Sequence, residues 1–182
     1  PPDEAEVSGG TGDEMYISDG KLMLSRTDIS KTPVMTVYTE NRKSYTGRIA
    51  VSMDFEKPGG AGAWLRCGAI YYYWRADNKI IVQTCSDKES KTVKSYYAGE
   101  YSGRISVKFI FNTENNRVDC YINGDKKSGI EYARLRNQTD FKSVWAYISE
   151  GVRTIGIDNY KVCRESEPTS ERLRCAADAL GY

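Results

Sequence analysis

An all-β domain, an antiparallel sandwich with one short helix at its C-terminal end, is what this sequence predicts, and three observations predict it. Polar and apolar residues alternate with period two from about Met15 to Val162, and Gly, Asn and Asp separate the alternating runs. Helical spacing occurs late, where Leu173, Ala176, Ala177 and Leu180 share one face between a polar start and Gly181. The 182 residues suit one domain with a sizeable core. Its expected limits are residues 15 to 163, after an acidic, Gly-rich leader over residues 1 to 14 and before a helical appendage over residues 164 to 182. That appendage either caps the sandwich or opens a further domain.

The expected elements follow in order. Residues 15 to 17 and 21 to 25 are short strands around the Ser18-Asp19-Gly20 turn, and residues 34 to 38 form a third. Residues 45 to 56 read as a half-buried strand, with Ile49, Val51, Met53 and Phe55 on one face and Arg48, Ala50, Ser52 and Asp54 on the other. The Lys57-Pro58-Gly59-Gly60 segment breaks it. Residues 64 to 85 then read as a hairpin: a run from Trp64 to Arg75 containing Tyr71-Tyr72-Tyr73-Trp74, a polar turn at residues 76 to 79, and a return strand from Ile80 to Cys85. Four adjacent rings exceed what packing alone asks of a strand. Residues 103 to 111 turn their Ile105, Val107, Phe109 and Phe111 inward, and residues 117 to 122 match them with Val118, Cys120 and Ile122. Asn123-Gly124-Asp125 is a hairpin turn signal. Residues 144 to 148 place Trp145 and Tyr147 opposite Val144, Ala146 and Ile148, and residues 154 to 162 are the last strand.

Composition excludes several functions. Lys and Arg number 26 against 25 Asp and Glu, a net charge of +1, so the chain lacks the long-range field of a general nucleic-acid or anionic-membrane binder. No apolar run approaches the roughly 20 residues needed to span a bilayer. With no histidine, Ser-His-Asp and Cys-His catalysis and imidazole zinc sites are ruled out. The five cysteines show no C-x-x-C spacing. Cys67 and Cys85 either bridge the aromatic hairpin or pack as small hydrophobes, and Cys163 and Cys175 either close a terminal loop or do the same. Asn137-Gln138-Thr139 matches a glycosylation acceptor. The start at Pro1-Pro2-Asp3 reads as a trimmed mature protein or an excised domain.

Three segments together resemble the concanavalin A-like lectin/glucanase superfamily, especially its laminin-G-like jelly rolls. They are Tyr73 to Ile81, an aromatic-Arg-x-x-Asn hairpin; the pair Ile105 to Phe111 and Val118 to Gly124, ending in a Y-x-N-G turn; and Ile157-Asp158-Asn159-Tyr160-Lys161-Val162, a closing strand. The resemblance covers roughly residues 15 to 162. It implies an antiparallel jelly-roll β-sandwich with one concave sheet, and ligands on that sheet or at the loop rim. It does not choose among lectins, binding modules, hydrolases, lyases and adhesion domains.

Sugar binding needs a ring against which a pyranose face can lie, together with side chains that bond its hydroxyls. The outward phase of the strands supplies Tyr71, Tyr73, Arg75, Gln83, Tyr121, Trp145 and Tyr147 as candidates. For the run from Leu65 to Trp74 the opposite phase, exposing Arg66, Gly68, Ile70, Tyr72 and Trp74, stays open. Each ring is either a ligand contact or core. Glycoside hydrolysis needs two carboxyls across the scissile bond. The Glu-x-Asp-x-x-Glu pattern of jelly-roll glucanases is absent, and Asp54 and Glu56 read more simply as solvated. A lyase acting through Tyr71 or Tyr73 with Arg75 is chemically conceivable without histidine. Asp158 and Asn159, with Asp13 or Asp19, are oxygen ligands suited to calcium if a metal is held at all; they read more simply as a hydrogen-bonded turn at the strand end. No cofactor is required. The expectation is a non-catalytic carbohydrate-binding module of a secreted or cell-surface multidomain protein, with an oligo- or polysaccharide as partner and no nucleic acid or membrane insertion. A hydrolase or lyase of the same fold and a protein-binding adhesion domain are the alternatives.

Overall fold

The computed structural model describes residues 5–10, 14–39, 42, 45–67, 70–85, 92–112, 117–131 and 143–164. Its strands are β1 (Ala5–Ser8), β2 (Met15–Ser18), β3 (Lys21–Ser25), β4 (Val34–Tyr38), β5 (Arg48–Lys57), β6 (Gly62–Cys67) and β7 (Ile70–Trp74), followed by β8 (Lys79–Cys85), β9 (Thr92–Glu100), β10 (Gly103–Asn112), β11 (Arg117–Ile122), β12 (Asp125–Glu131), β13 (Ser143–Glu150) and β14 (Thr154–Arg164). They form two seven-stranded antiparallel sheets. Sheet A runs β1-β4-β13-β6-β7-β8-β9, and sheet B runs β12-β11-β10-β5-β14-β3-β2. The last strand, β14, thus lies inside sheet B between β5 and β3, and strands distant in sequence are neighbours in both sheets, as in a jelly roll rather than a meander.

Period-two alternation builds the core as expected. Ile49, Val51, Met53 and Phe55 of β5 meet Ile105, Val107, Phe109 and Phe111 of β10 on the inner face of sheet B. Leu65, Tyr72, Trp74, Val82, Val144 and Ala146 come from sheet A to pack against them. Trp74 is fully buried, tilted against Phe55 at 5.8 Å, and its Nε1 donates to the Tyr101 carbonyl at 3.0 Å. That bond satisfies the polar end of the ring, which burial would otherwise penalise. Lys57 takes the same inward phase at the end of β5. Its ammonium lies 4.8 Å from the Trp74 ring and donates to Asn78 Oδ1 at 3.1 Å, and burial pushes its pKa down. The Asn123-Gly124 turn is a two-residue hairpin joining Ile122 to Asp125, with positive φ at both central residues. Asn and Gly are the residues that tolerate that conformation.

Several expectations are corrected. Ala5–Ser8, within the segment read as leader, is an edge strand paired with β4: Ala5 and Val7 face the core while Glu6 faces out, and the acidic composition masked that alternation. β9 and β12, also edge strands near turns or charged runs, were not anticipated as strands. The aromatic hairpin is a three-stranded meander, because the run from Trp64 to Trp74 divides into β6 and β7. This division rules out a Cys67–Cys85 bridge. β7 lies between β6 and β8, so the two cysteines are about two strand spacings apart, roughly 10 Å, beyond disulfide reach. Cys67 is instead an unbridged thiol in the core, with its pKa raised by burial. Cys175, the other half of the expected terminal bridge, lies outside the described residues. The C-terminal helix and Asn137 lie outside the described residues.

Candidate functional site

The two outer faces of the sandwich carry different chemistry. On sheet A, β13, β6, β7 and β8 pair so that their outward residues form two rows across the sheet. One row reads Thr36, Trp145, Arg66, Tyr71, Gln83, Ser95, and the next reads Val34, Tyr147, Trp64, Tyr73, Ile81, Tyr97. Directly opposed residues on neighbouring strands lie close enough for their side chains to stack. Trp64 is parallel to Tyr73 within 7° at 4.2 Å and to Tyr147 within 10° at 6.0 Å. At 4.2 Å the Trp64 and Tyr73 rings lie face to face across neighbouring strands, so each covers one face of the other. In the adjoining row the Arg66 guanidinium lies between the rings of Trp145 (4.6 Å) and Tyr71 (5.0 Å). Tyr73 donates to Glu150 Oε1 at 2.8 Å, and burial followed by that acceptor raises its phenol pKa.

Sheet B is hollowed on its outer face. β5 and β10 pair in unbroken register from Lys57↔Gly103 to Arg48↔Asn112, which sets Ser52 beside Lys108 and Asp54 beside Ser106. β11 adds Tyr121 next to Lys108, and β14 adds Asp158 next to Asp54. These strands line a cavity of about 610 Å³ whose walls include Ser52, Asp54, Ser106, Lys108, Tyr121 and Asn159. Between Asp158 and Lys161, β14 carries one residue more than β5. This bulge puts Asn159 at a φ of 51° and turns its amide onto Asp54.

Asp54 is the hub of the hollow. It accepts from Arg104 Nη2 at 2.6 Å, from Asn159 Nδ2 at 2.7 Å and from the Ser106 hydroxyl. Burial opposes its ionisation, but the Ser106, Arg104 and Asn159 bonds outweigh burial and hold its carboxyl below the usual range. Arg104 also donates to Asp158 Oδ2 at 3.0 Å, so one guanidinium ties together carboxylates from two strands. The result is a set of fixed donors and acceptors beside one ring, Tyr121, on a sheet rather than on loops.

The expected site residues are divided between these faces. Tyr71, Tyr73, Gln83, Trp145 and Tyr147 lie on sheet A, and the open phase question is resolved: Ile70, Tyr72 and Trp74 are buried. Tyr121 lies on sheet B. Arg75 belongs to neither face; it caps the β7–β8 turn, with its amide bonded to the Lys79 carbonyl and its guanidinium 3.2 Å from Asp77. Gln83 donates to Ser95 Oγ at 3.4 Å. Asp158 and Asn159, read as calcium ligands, bond to Arg104 and Asp54, and among the described residues no group of three or more His, Cys, Asp or Glu is arranged to hold a metal. Sequence reasoning missed Trp64 and Arg66, because the break before Ile70 reverses the parity of the run. It passed over Arg104, which stands at the start of its strand.

No protein-family model matches the chain, and no curated protein sequence does. Solved structures match in shape. A sialidase structure superposes with a TM-score of 0.68 at 9% identity, over 97% of this chain and 19% of that one. The carbohydrate recognition domain of Emp47p superposes at 0.65 with 7% identity, over 91% and 90% of the two chains. The fold is the concanavalin A-like jelly roll. A botulinum neurotoxin type C structure, described as depending on two ganglioside molecules for cell entry, superposes at 0.60 with 12% identity over 98% of this chain and 47% of that one. The chain thus spans about a fifth of the sialidase and about half of the toxin chain. At these identities the likeness is one of fold, and the outer faces must be read from this chain's own residues.

Proposed function

We propose that this jelly roll is a non-catalytic carbohydrate-binding module and that its ligand seats in the hollow of sheet B. The observation that carries the reading is the Asp54 cluster beside Tyr121. A sugar presents neighbouring hydroxyls, each both donor and acceptor, around a ring with apolar faces. Asp54 accepts, Arg104, Asn159 and Ser106 donate, and these groups already hold one another in place, so little side-chain entropy is lost on binding. Tyr121 offers the apolar contact. The shared fold with a carbohydrate recognition domain supports the reading.

The lowered Asp54 pKa argues against hydrolysis from this cluster: a carboxyl ionised well below neutrality is a poor proton donor to a leaving group. Membership of a larger extracellular or cell-surface protein belongs to the same proposal, supported by the partial coverage of the sialidase and toxin chains. A second reading, protein adhesion through sheet A, is favoured by one observation: Trp145 and Tyr97 are 41% and 60% exposed on that face.

A glycan array tests the choice. Tyr121→Ala and Asp54→Ala are expected to lose the signal and Trp145→Ala to keep it. Loss in Trp145→Ala with retention in the other two moves the ligand to sheet A, and silence of the wild-type protein across the array ends the proposal.

A further inference from the structure

Resting on the carbohydrate reading of the same hollow, we infer that its ligand is an anionic glycan, one bearing carboxylate or sulfate groups. The argument comes from how charge is laid out in register. Lys161, Ser52, Lys108, Tyr121 and Lys126 occupy one row across β14, β5, β10, β11 and β12. Adjacent strands are about 4.8 Å apart, so Lys161 and Lys108 stand roughly 10 Å apart with the Ser52 hydroxyl between them. An anionic group on Ser52 would have an ammonium on either side and the Tyr121 ring one strand further on.

The neighbouring rows make this placement selective. On one side is the Asp158, Asp54, Ser106 row, whose two carboxylates share the single charge of Arg104 at 2.6 and 3.0 Å. On the other side Ala50 and Ile110, both buried, form a short apolar strip, and beyond it Arg48 and Arg117 flank Asn112. Asp119, at the far end of that strip, is 3.0 Å from Lys126. Across this face the cations Lys21, Arg48, Arg104, Lys108, Arg117, Lys126 and Lys161 stand against the carboxylates Asp54, Glu56, Asp119 and Asp158 among the described side chains. Each of these carboxylates has a cationic partner within the face, and the face carries more cations than carboxylates while the whole chain is close to neutral at +1. A low-dielectric, concave floor concentrates such a potential. The alternation of cationic and apolar rows suits a polymer that repeats charge and pyranose face.

The test is an array carrying neutral, uronic-acid-containing, sialylated and sulfated oligosaccharides, followed by titration of each bound glycan against its carboxyl-reduced or desulfated counterpart. Erasing the charge is expected to weaken binding at least tenfold. Lys108→Gln and Lys161→Gln are each expected to weaken the acidic glycan about fivefold to tenfold, with unchanged Tm, and affinity should fall as NaCl rises from 50 to 500 mM. The uronic and sulfated arms tell which anionic group fits. Binding of neutral glycans equal to that of their acidic counterparts overturns the inference and leaves the carbohydrate reading intact. Retention on poly-glutamate equal to that on the acidic glycans also overturns it, because charge without a sugar would then suffice. No binding anywhere on the array removes both.

Discussion

The outer faces of sheets A and B are made by the same device, period-two alternation, yet they leave different things available to a partner. On sheet A the most conspicuous residues of the sequence spend their faces on one another: Trp64 is covered by Tyr73 and Tyr147, and Arg66 is held between Trp145 and Tyr71. On sheet B less conspicuous residues, Ser52, Asp54, Ser106 and Tyr121, line an open hollow. An exposed ring is not the same as an exposed ring face. The aromatic row acts mainly as cross-strand cement, and the polar hollow is where we propose that the ligand seats.

Substitutions sharpen or break this contrast. The largest effect is expected from Trp64→Ala, which loses two stacked neighbours worth about 0.5–1.5 kcal/mol each, together with buried apolar area. Urea unfolding should show a loss of about 2–3 kcal/mol with glycan affinity retained; lost affinity at unchanged stability would reverse the roles of the two faces. Tyr121→Ala is the mirror case. Isothermal titration should show binding about tenfold weaker, about 1.4 kcal/mol, while stability moves by less than about 0.5 kcal/mol. Equal loss of stability would make Tyr121 a packing residue.

Acid unfolding probes the hub. Because Asp54's folded pKa lies below its unfolded value, its contribution is complete above the ordinary carboxylate pKa of about 3.9 and is lost as pH falls through the lowered value. The Tm of wild type should therefore hold from pH 7 to about 5 and decline in the acid range, and in Asp54→Asn that decline should be shallower. Identical acid limbs would show that the cluster does not stabilise the fold. The smallest effect is expected from Arg66→Ala, about 0.5–1 kcal/mol from two cation–π contacts at a partly exposed site, with a shift in Trp145 emission as its wedge is removed. An unchanged emission spectrum would argue against the wedge.

Much of the fold was legible. The inward sets of β5, β10, β11 and β13 could be written down from the letters because a strand alternates with an exact period, and Asn123-Gly124 named its own turn. Edge strands were less legible: β1, β9 and β12 pair on one side only and carry polar residues on a half-wet surface, so their pattern is weak. For the site, alternation alone turns Ser52 and Asp54 outward, but it treats each strand separately. The convergence of the strands depends on β5 pairing with β10 and on the bulge in β14 that brings in Asn159, and neither is local.

The letters alone determined that this is an all-β sandwich, which side chains of its long strands turn inward, and which histidine-dependent chemistries it lacks. Alternation and composition are properties of the chain itself, present before any contact forms. Only the tertiary structure decided that the Tyr and Trp run is two strands rather than one, that its outer rings stack on one another, and that the Asp54 hollow lies on the opposite sheet. Those outcomes depend on which strands become neighbours, a choice made by burying a shared core across distant parts of the chain.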